Sequence, residues 1–446
     1  MLMAETSSSA LRPRARSAIL LCVLLGLEAL TAQSTFRSTG SMNAARVYFS
    51  LTPLSSAGVL AAGGYSSDGA ASATAEVFDL ASESWVLTGP MAQPRGFHAA
   101  VLLKNNKVLV AGGSASGSSL SSAELYDAGL GRWSPASPMF TARSGHGAYA
   151  LDDGRVLVAG GGVDAAGTAT AEVYNPPTNR WTPTGSMIFP RAFFSGVVLP
   201  DGRVLVAGGL GSPATSETYN PWTETWSLAG ALNFPHGTGS SLTLLSNGQA
   251  LILGGGGQAE LFDPVTGVWT PTTPMPATRS GHSATLLGNG LVFVTGHDPQ
   301  REPGASLVYD PLPQTWRWMA GSAPMFNLAA RLIDGRVLVA GGSRTVGQSA
   351  LSPTQEALVF DDSLDGQQPV QSAESAPSTR ATFALANPAV SVSAPAAAPT
   401  VSSVSPTQGP TTGSTATVTA ASLVPSGFAA NLFIDMNVCR IRSAQW

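Results

Sequence analysis

Short apolar runs that end in a pair of glycines recur along the chain. They close at Gly63-Gly64, Gly112-Gly113, Gly160-Gly161, Gly208-Gly209, Gly254-Gly255 and Gly341-Gly342, and Thr295-Gly296 stands where one more pair is due. The seven copies are separated by steps of 49, 48, 48, 46, 41 and 46 residues. Self-similarity at such a period marks a repeat architecture, in which each unit is one supersecondary element. The third copy shows the parts. A run after Arg143-Ser-Gly-His146 leads to Asp153-Gly154, and Arg155-Val-Leu-Val-Ala leads to the glycine pair. A variable loop follows, then Ala171-Glu-Val-Tyr174, then Trp181. Asp-Gly between two apolar runs is a hairpin signal, because the tight turn needs positive φ at both central positions. Asp201-Gly202, Asn247-Gly248 and Asp334-Gly335 repeat it. Four short strands per unit predict a blade, and seven units predict an all-β, seven-bladed propeller.

Aromatic spacing supports that reading. Seven residues separate Phe78 from Trp85, Tyr126 from Trp133, Tyr174 from Trp181, Tyr219 from Trp226, Phe262 from Trp269 and Tyr309 from Trp316. Rings of this size bury roughly 150–250 Å² each and are expected to fill the space between blades. The seventh unit departs from the pattern, with Gln367 where a tryptophan is due after Phe360. Phe36, however, precedes Met42 by six residues, as Trp85 precedes Met91 and Trp133 precedes Met139. A strand around Thr35 to Arg37 is therefore expected to complete the last blade and close the ring, leaving no open sheet edge at the seam.

The glycine pairs, the later tyrosine and the tryptophan resemble kelch repeats, in a bacterial style with Asp-Gly-Arg-Val-Leu-Val-Ala-Gly-Gly. The resemblance runs from residue 36 to about residue 362. It is specific for fold and says little of function, since propellers host many unrelated activities.

The ends carry other signals. Arg12, Arg14 and Arg16 precede a short apolar stretch from Ser17 to Leu27, and Ala32-Gln33 is a plausible cleavage point. Residues 1–32 thus read as an export signal, too short in its apolar part to stay as a membrane anchor. The propeller is assigned to residues 33–366. Residues 367–398 are rich in Ala, Pro and Ser and read as a flexible linker. Residues 399–446 open like a TIG-type immunoglobulin-like module, but only 48 residues remain. Such a sandwich takes about 100 residues, so a truncated module or a short disordered tail is expected. Cys22 falls in the signal and Cys439 near the C-terminus, so the propeller has neither a disulfide nor a thiolate metal site.

Charge narrows the partners. A formal net charge of −4, with only 11% charged residues, gives no basic patch for nucleic acid. The recurring charges are Arg46, Arg95, Arg143, Arg191 and Arg279, with His236 in the fifth unit and Ala329 counted at this place in the seventh. Glu76, Glu124, Glu172, Glu217 and Glu260 recur two residues before the third-strand aromatic. Two roles are open to the arginines: a cationic mouth for an acidic ligand, or pairing with the glutamates inside the scaffold. His98, His146 and His282 share one register, three residues after an arginine. They would bind metal only if they converged on one point.

Galactose oxidase and its relatives share this kelch pattern, and the resemblance implies a test for copper. The family's ligand tyrosines lie two residues after the blade arginine. Those positions hold Tyr48, Phe97, Gly145, Phe193, Thr238 and Gly281 here, so only Tyr48 fits. No cysteine lies in the propeller for the family's thioether, and no histidine follows His297. Sialidase boxes, nucleophile elbows, phosphate loops and calcium loops are also missing from the sequence. The chain therefore reads as a secreted or cell-surface scaffold without a cofactor, binding protein or glycan through loops on one face, with a copper oxidase or another carbohydrate enzyme as the alternative. The loop from His297 to Gly304 breaks the repeat most. His297, Asp298, Arg301 and Glu302 are its candidate contacts, beside the repeated arginines.

Overall fold

The computed structural model describes residues 36–361, save 57, 163–166, 255, 298–305, 320, 322 and 346–350. The expected signal segment, the linker and the TIG-like tail lie outside the described residues. Seven four-stranded antiparallel sheets are present, and no helix occurs among the described residues. The fold is a seven-bladed β-propeller, as the repeats predict.

Blades are numbered here in chain order, with strands counted outward from the axis. The first strands are Ser50–Pro53, Ala99–Leu102, Gly147–Ala150, Ser195–Val198, Ser241–Leu244, Ser280–Leu286 and Leu328–Arg331. Each touches the next, and Leu328–Arg331 touches Ser50–Pro53, so the ring is closed. Asp-Gly turns and the hairpins between strands three and four lie on one face, the turn face. Glycine pairs and the crossings into each new blade lie on the other, the loop face. Two small hairpins, Ser114–Ala115 with Ser118–Ser119 and Ser343–Thr345 with Leu351–Pro353, add to the loop face of blades 2 and 7.

The core lies between blades. Leu109, Ala111 and Ala123 of blade 2 pack against Val156, Val158, Tyr174 and Trp181 of blade 3. In blades 1 to 6 the third-strand aromatic pairs directly with the fourth-strand tryptophan, with ring centroids 4.8–5.3 Å apart. Several indoles also reach back to the preceding blade: Trp181 Nε1 donates to Ser137 O at 2.7 Å and Trp226 Nε1 to Gly185 O at 2.8 Å.

The N-terminal strand completes blade 7. Phe36–Ser38 pairs with Ala357–Phe360, and Phe36 lies opposite Phe360 where other blades place a tryptophan. Phe36 also packs on Phe293 of blade 6, 5.6 Å between centroids. Arg37 bonds Glu83 of blade 1, and Arg336 reaches the same carboxylate at 2.6 Å. The bond from Arg37, then that from Arg336, holds Glu83 down at about 2.

Register corrects the seventh unit. Met325 bridges Ser343 as Val47 bridges Tyr65, and Leu328 pairs with Ala340 as Ser50 pairs with Ala62. The place of the blade arginine is therefore held by Pro324, not Ala329. Met325 is not the repeat methionine from which that count began.

Phe36→Ala should lower unfolding free energy by about 3 kcal/mol, since it removes the ring that seals blade 7 against blade 6. Urea denaturation checks this, and a loss below 1 kcal/mol would mean that the strand adds little to closure.

Candidate functional site

Five of the seven blades begin, at the loop face, with a buried arginine. Arg46, Arg95, Arg143, Arg191 and Arg279 are at most 1% exposed. Arg143 is typical: Nη1 donates to Gly160 O at 2.8 Å and Thr170 O at 2.9 Å, and Nη2 to Glu172 Oε1 at 2.8 Å. Glu172 in turn accepts from the main-chain N–H groups of Phe140 and Thr141, at 2.7 and 3.0 Å. The pair thus ties the glycine corner, the strand after it and the crossing from the preceding blade into one cluster. His236 takes the arginine's place in blade 5, with Nε2 at 3.0 Å from Glu260 Oε1. Of the two roles open from sequence, this geometry is pairing within the blade. These arginines present no exposed charge at the mouth. Burial pushes the guanidinium of Arg143 below its ordinary value, and Glu172 opposes the shift.

The glycines follow from the same geometry. A Cβ on Gly63 would lie 2.4 Å from Arg95 O, and one on Gly64 2.7 Å from Val47 O. Both have positive φ, at 65° and 93°. The second glycine of the pair donates to the next blade's arginine carbonyl: Gly64 N to Arg95 O at 2.9 Å, and Gly342 N to Arg46 O at 2.8 Å across the seam.

Two residues beyond the arginine the chain turns left-handed. Tyr48, Phe97, Phe193 and Phe326 have φ between 51° and 55°, and Gly145 and Gly281 have 60° and 56°. In blade 5 one extra residue shifts this place from Thr238 to Gly239, with φ 75°. Main-chain bonds link these positions around the axis: Phe97 N to Tyr48 O, Gly145 N to Phe97 O, Phe193 N to Gly145 O and Phe326 N to Gly281 O, at 2.7–3.0 Å. The four aromatic rings come together over the mouth. Tyr48 stacks on Phe97 at 4.3 Å and meets Phe326 at 5.2 Å, while Phe97 meets Phe193 edge-on at 5.3 Å. Tyr65 flanks Phe97 at 5.5 Å. The rings spread over Gly145 and Gly281, where a Cβ would lie within 2.7 Å of Phe193 and 2.4 Å of Phe326. Left-handed φ is a rarity for bulky residues and costs of the order of 1–3 kcal/mol each. This cluster is the candidate functional site. Its signal was the position two after the arginine, which points to it once the residues are read as rings and not only as metal ligands.

The next residue inward forms a collar between blades, each member meeting the first strand of the blade before it. His98 Nε2 bonds Ser50 Oγ at 2.9 Å, and His282 Nε2 bonds Ser241 Oγ at 2.9 Å. Ser195 Oγ donates to Ser240 O and Ser283 Oγ to Asn327 O, at 2.6 and 2.9 Å. Phe49 packs with Leu328, and Phe194 follows a blade with Gly147 at that place. One joint is mismatched. His146 faces the blade whose first strand begins at Ala99, and neither ring nitrogen has a hydrogen bond. The carbonyls of Ala111 and Arg143 act against burial and raise its proton affinity. Burial first, and the neighbouring arginine next, holds His98 and His146 down at about 3 and His282 at about 4.

Copper does not fit these residues. Two tyrosines stand at the mouth: the Tyr48 phenol is pushed up by burial, and the Tyr65 hydroxyl is bonded to Ser114 Oγ at 2.6 Å. Ring nitrogens of His98 and His282 are bonded to serines inside the blade joints. No three His, Cys, Asp or Glu side chains come together to hold a metal among the described residues. His297 ends the strand Val292–His297. Asp298, Arg301 and Glu302 lie outside the described residues.

Comparison with known proteins agrees on architecture. The Kelch motif matches residues 95–140 and 142–188, which span the crossings into blades 2 and 3 and most of those blades. A fungal alcohol oxidase of the AA5 family, in complex with copper, is similar over 73% of this chain and 76% of its own, with a TM-score of 0.59 at 16% identity. That similarity is one of fold. No curated protein matches the chain. Kelch motifs and seven closed blades together make this a kelch β-propeller.

Two outcomes follow. Arg143→Ala should destabilise by about 3–5 kcal/mol, because it strands Glu172 as a buried, unpaired charge; equilibrium unfolding in guanidinium measures this. The histidines set a pH dependence. Their folded values lie below the unfolded value of 6.5, so unfolding takes up protons, and stability present above pH 6.5 is lost as pH falls toward 4. His146→Phe uses the residue of blades 1 and 4. It should gain about 1–2 kcal/mol at neutral pH and reduce the acid slope by about 1.4 kcal/mol per pH unit. An unchanged slope would show that His146 already titrates normally in the fold.

Proposed function

We propose that the protein is a non-catalytic binding scaffold, exported to the cell surface or beyond, that recognises protein or glycan at the loop face of the propeller. The observation that carries this reading is the aromatic mouth. Four large rings occupy left-handed positions that blades 3, 5 and 6 fill with glycine at no steric cost. Such strain persists where the surrounding structure enforces it, and it clusters at binding sites. Tyr48, Phe97, Phe193 and Phe326 form a half-buried aromatic cluster on a closed ring, beside loops whose sequences differ from blade to blade. Rigid aromatic contact surfaces on a scaffold, with variable loops around them, suit recognition. Among the described residues the mouth supplies neither a nucleophile with its base nor a metal ligand set, so the reading favours binding over the oxidase chemistry of the similar fungal enzyme.

The test is Phe97→Gly. Glycine already stands at three of the seven positions, so the variant should fold with a Tm within a few degrees of the parent. A thermal-shift and titration screen of the mature protein against glycans and surface proteins supplies the ligand, since native-state binding raises the melting point by mass action. Its affinity should fall at least tenfold in Phe97→Gly. A ligand bound equally by both forms would move the site away from the mouth.

A further inference from the structure

The turn face carries a cavity at the joint between blades 2 and 3. At three joints an arginine that opens the second strand crosses to the next blade. Arg155 Nη2 donates to Pro221 O at 3.1 Å, and its Nη1 to Glu224 at 2.7 Å. Arg203 donates to Pro264 O at 3.1 Å, and Arg336 reaches Glu83. Between blades 2 and 3 that position is Lys107, and its ammonium turns back to Asp127 of its own blade at 3.1 Å. A space of about 470 Å³ remains there. Its walls include Leu103, Lys104, Asn105, Asp153, Arg155, Asn175, Pro176 and Pro177.

The walls have a definite chemistry. In other blades the residue at the place of Asn175 caps its own turn: Asp127 accepts from Gly129 and Leu130 N–H, and Asn220 from Trp222 and Thr223 N–H. Pro177 has no N–H to give. The Asn175 amide has no hydrogen-bond partner among the described residues, and Asn175 lines the cavity. Asn105 Oδ1 accepts from Lys107 N at 3.2 Å, which leaves the amide N–H groups of Asn105 to donate. Arg155 is paired with two carboxylates, Asp153 and Glu224. Lys104 donates to the carbonyl of Asp152 and has no ion pair among the described residues. The cavity thus joins a lysine without an ion pair, the Arg155–Asp153 pair, two amides and an apolar wall of two prolines and a leucine. Its size is in the range of small-molecule sites.

We propose that this cavity binds a carboxylated sugar. Its C–H face would rest on Pro176, Pro177 and Leu103, its hydroxyls would bond the amides of Asn105 and Asn175, and its carboxylate would pair with Lys104. The site is separate from the aromatic mouth and does not depend on it.

The experiment titrates the whole protein with glucuronate and, in parallel, with glucose, read by saturation-transfer NMR and calorimetry. Glucuronate is expected to bind at least tenfold more tightly than glucose, and more weakly as salt rises. Lys104→Ala should lower glucuronate affinity tenfold or more. Lys107→Arg, which supplies the side chain that bridges three other joints, should abolish binding with an unchanged or raised unfolding midpoint. Phe97→Gly should leave glucuronate binding intact, which separates this site from the mouth. The proposal is overturned by absent or unsaturable glucuronate binding, by equal affinity for both sugars, or by a Lys104→Ala variant that binds as the parent does.

Discussion

A buried arginine paired to a buried glutamate is the contact on which the rest of this propeller depends. Charge of that kind is tolerated inside a protein when it is paired and further hydrogen-bonded. Here the matching is complete enough to organise a blade. Arg143 satisfies two carbonyls of the loop that follows the second strand, and Glu172 satisfies two N–H groups of the crossing from the preceding blade. The carbonyl of the same arginine accepts from Gly113 N in the blade before. One residue therefore fixes the corner within its blade and the joint to its neighbour. The glycine pair is a consequence, because a side chain there would occupy the space of that carbonyl.

Fold was legible in the sequence because its determinants are local. Asp-Gly turns, glycine corners and the seven-residue aromatic spacing each depend on a few neighbouring residues. The closing strand could be placed because Phe36 keeps a tryptophan's distance to Met42. Register failed where the repeat itself changes. Met325 imitates the repeat methionine but sits five residues further along the blade, at the place of Val47. An extra residue after His236 moved the left-handed position of blade 5 to Gly239. Both shifts preserve composition and alter only alignment, which periodicity alone does not register.

The sites were less legible for a different reason. Repetition of arginine says that a role is shared by the blades, and a shared role is more readily structural than specific. The informative residues are those that break symmetry in three dimensions. Tyr48, Phe97, Phe193 and Phe326 are spread over nearly 280 residues and meet only through the ring. The opening between blades 2 and 3 depends on which way Lys107 points, toward Asp127 or across the joint, and no spacing encodes that choice.

The inner collar shows how far the blades have been fitted to each other pair by pair. A hydroxyl faces a histidine at two joints, small or apolar residues face phenylalanine at two more, and serine meets a main-chain oxygen at another two. Each joint is satisfied by its own chemistry, so a change on one side is neutral only with a change on the other. His146 against Ala99 is the pair that lacks this fit, and the turn-face cavity lies at the same joint between blades 2 and 3. A propeller can carry such a joint because its stability is distributed over seven interfaces, with the Arg–Glu clusters on either side intact. Departure from the common packing is then affordable in the places where a scaffold can gain a surface of its own.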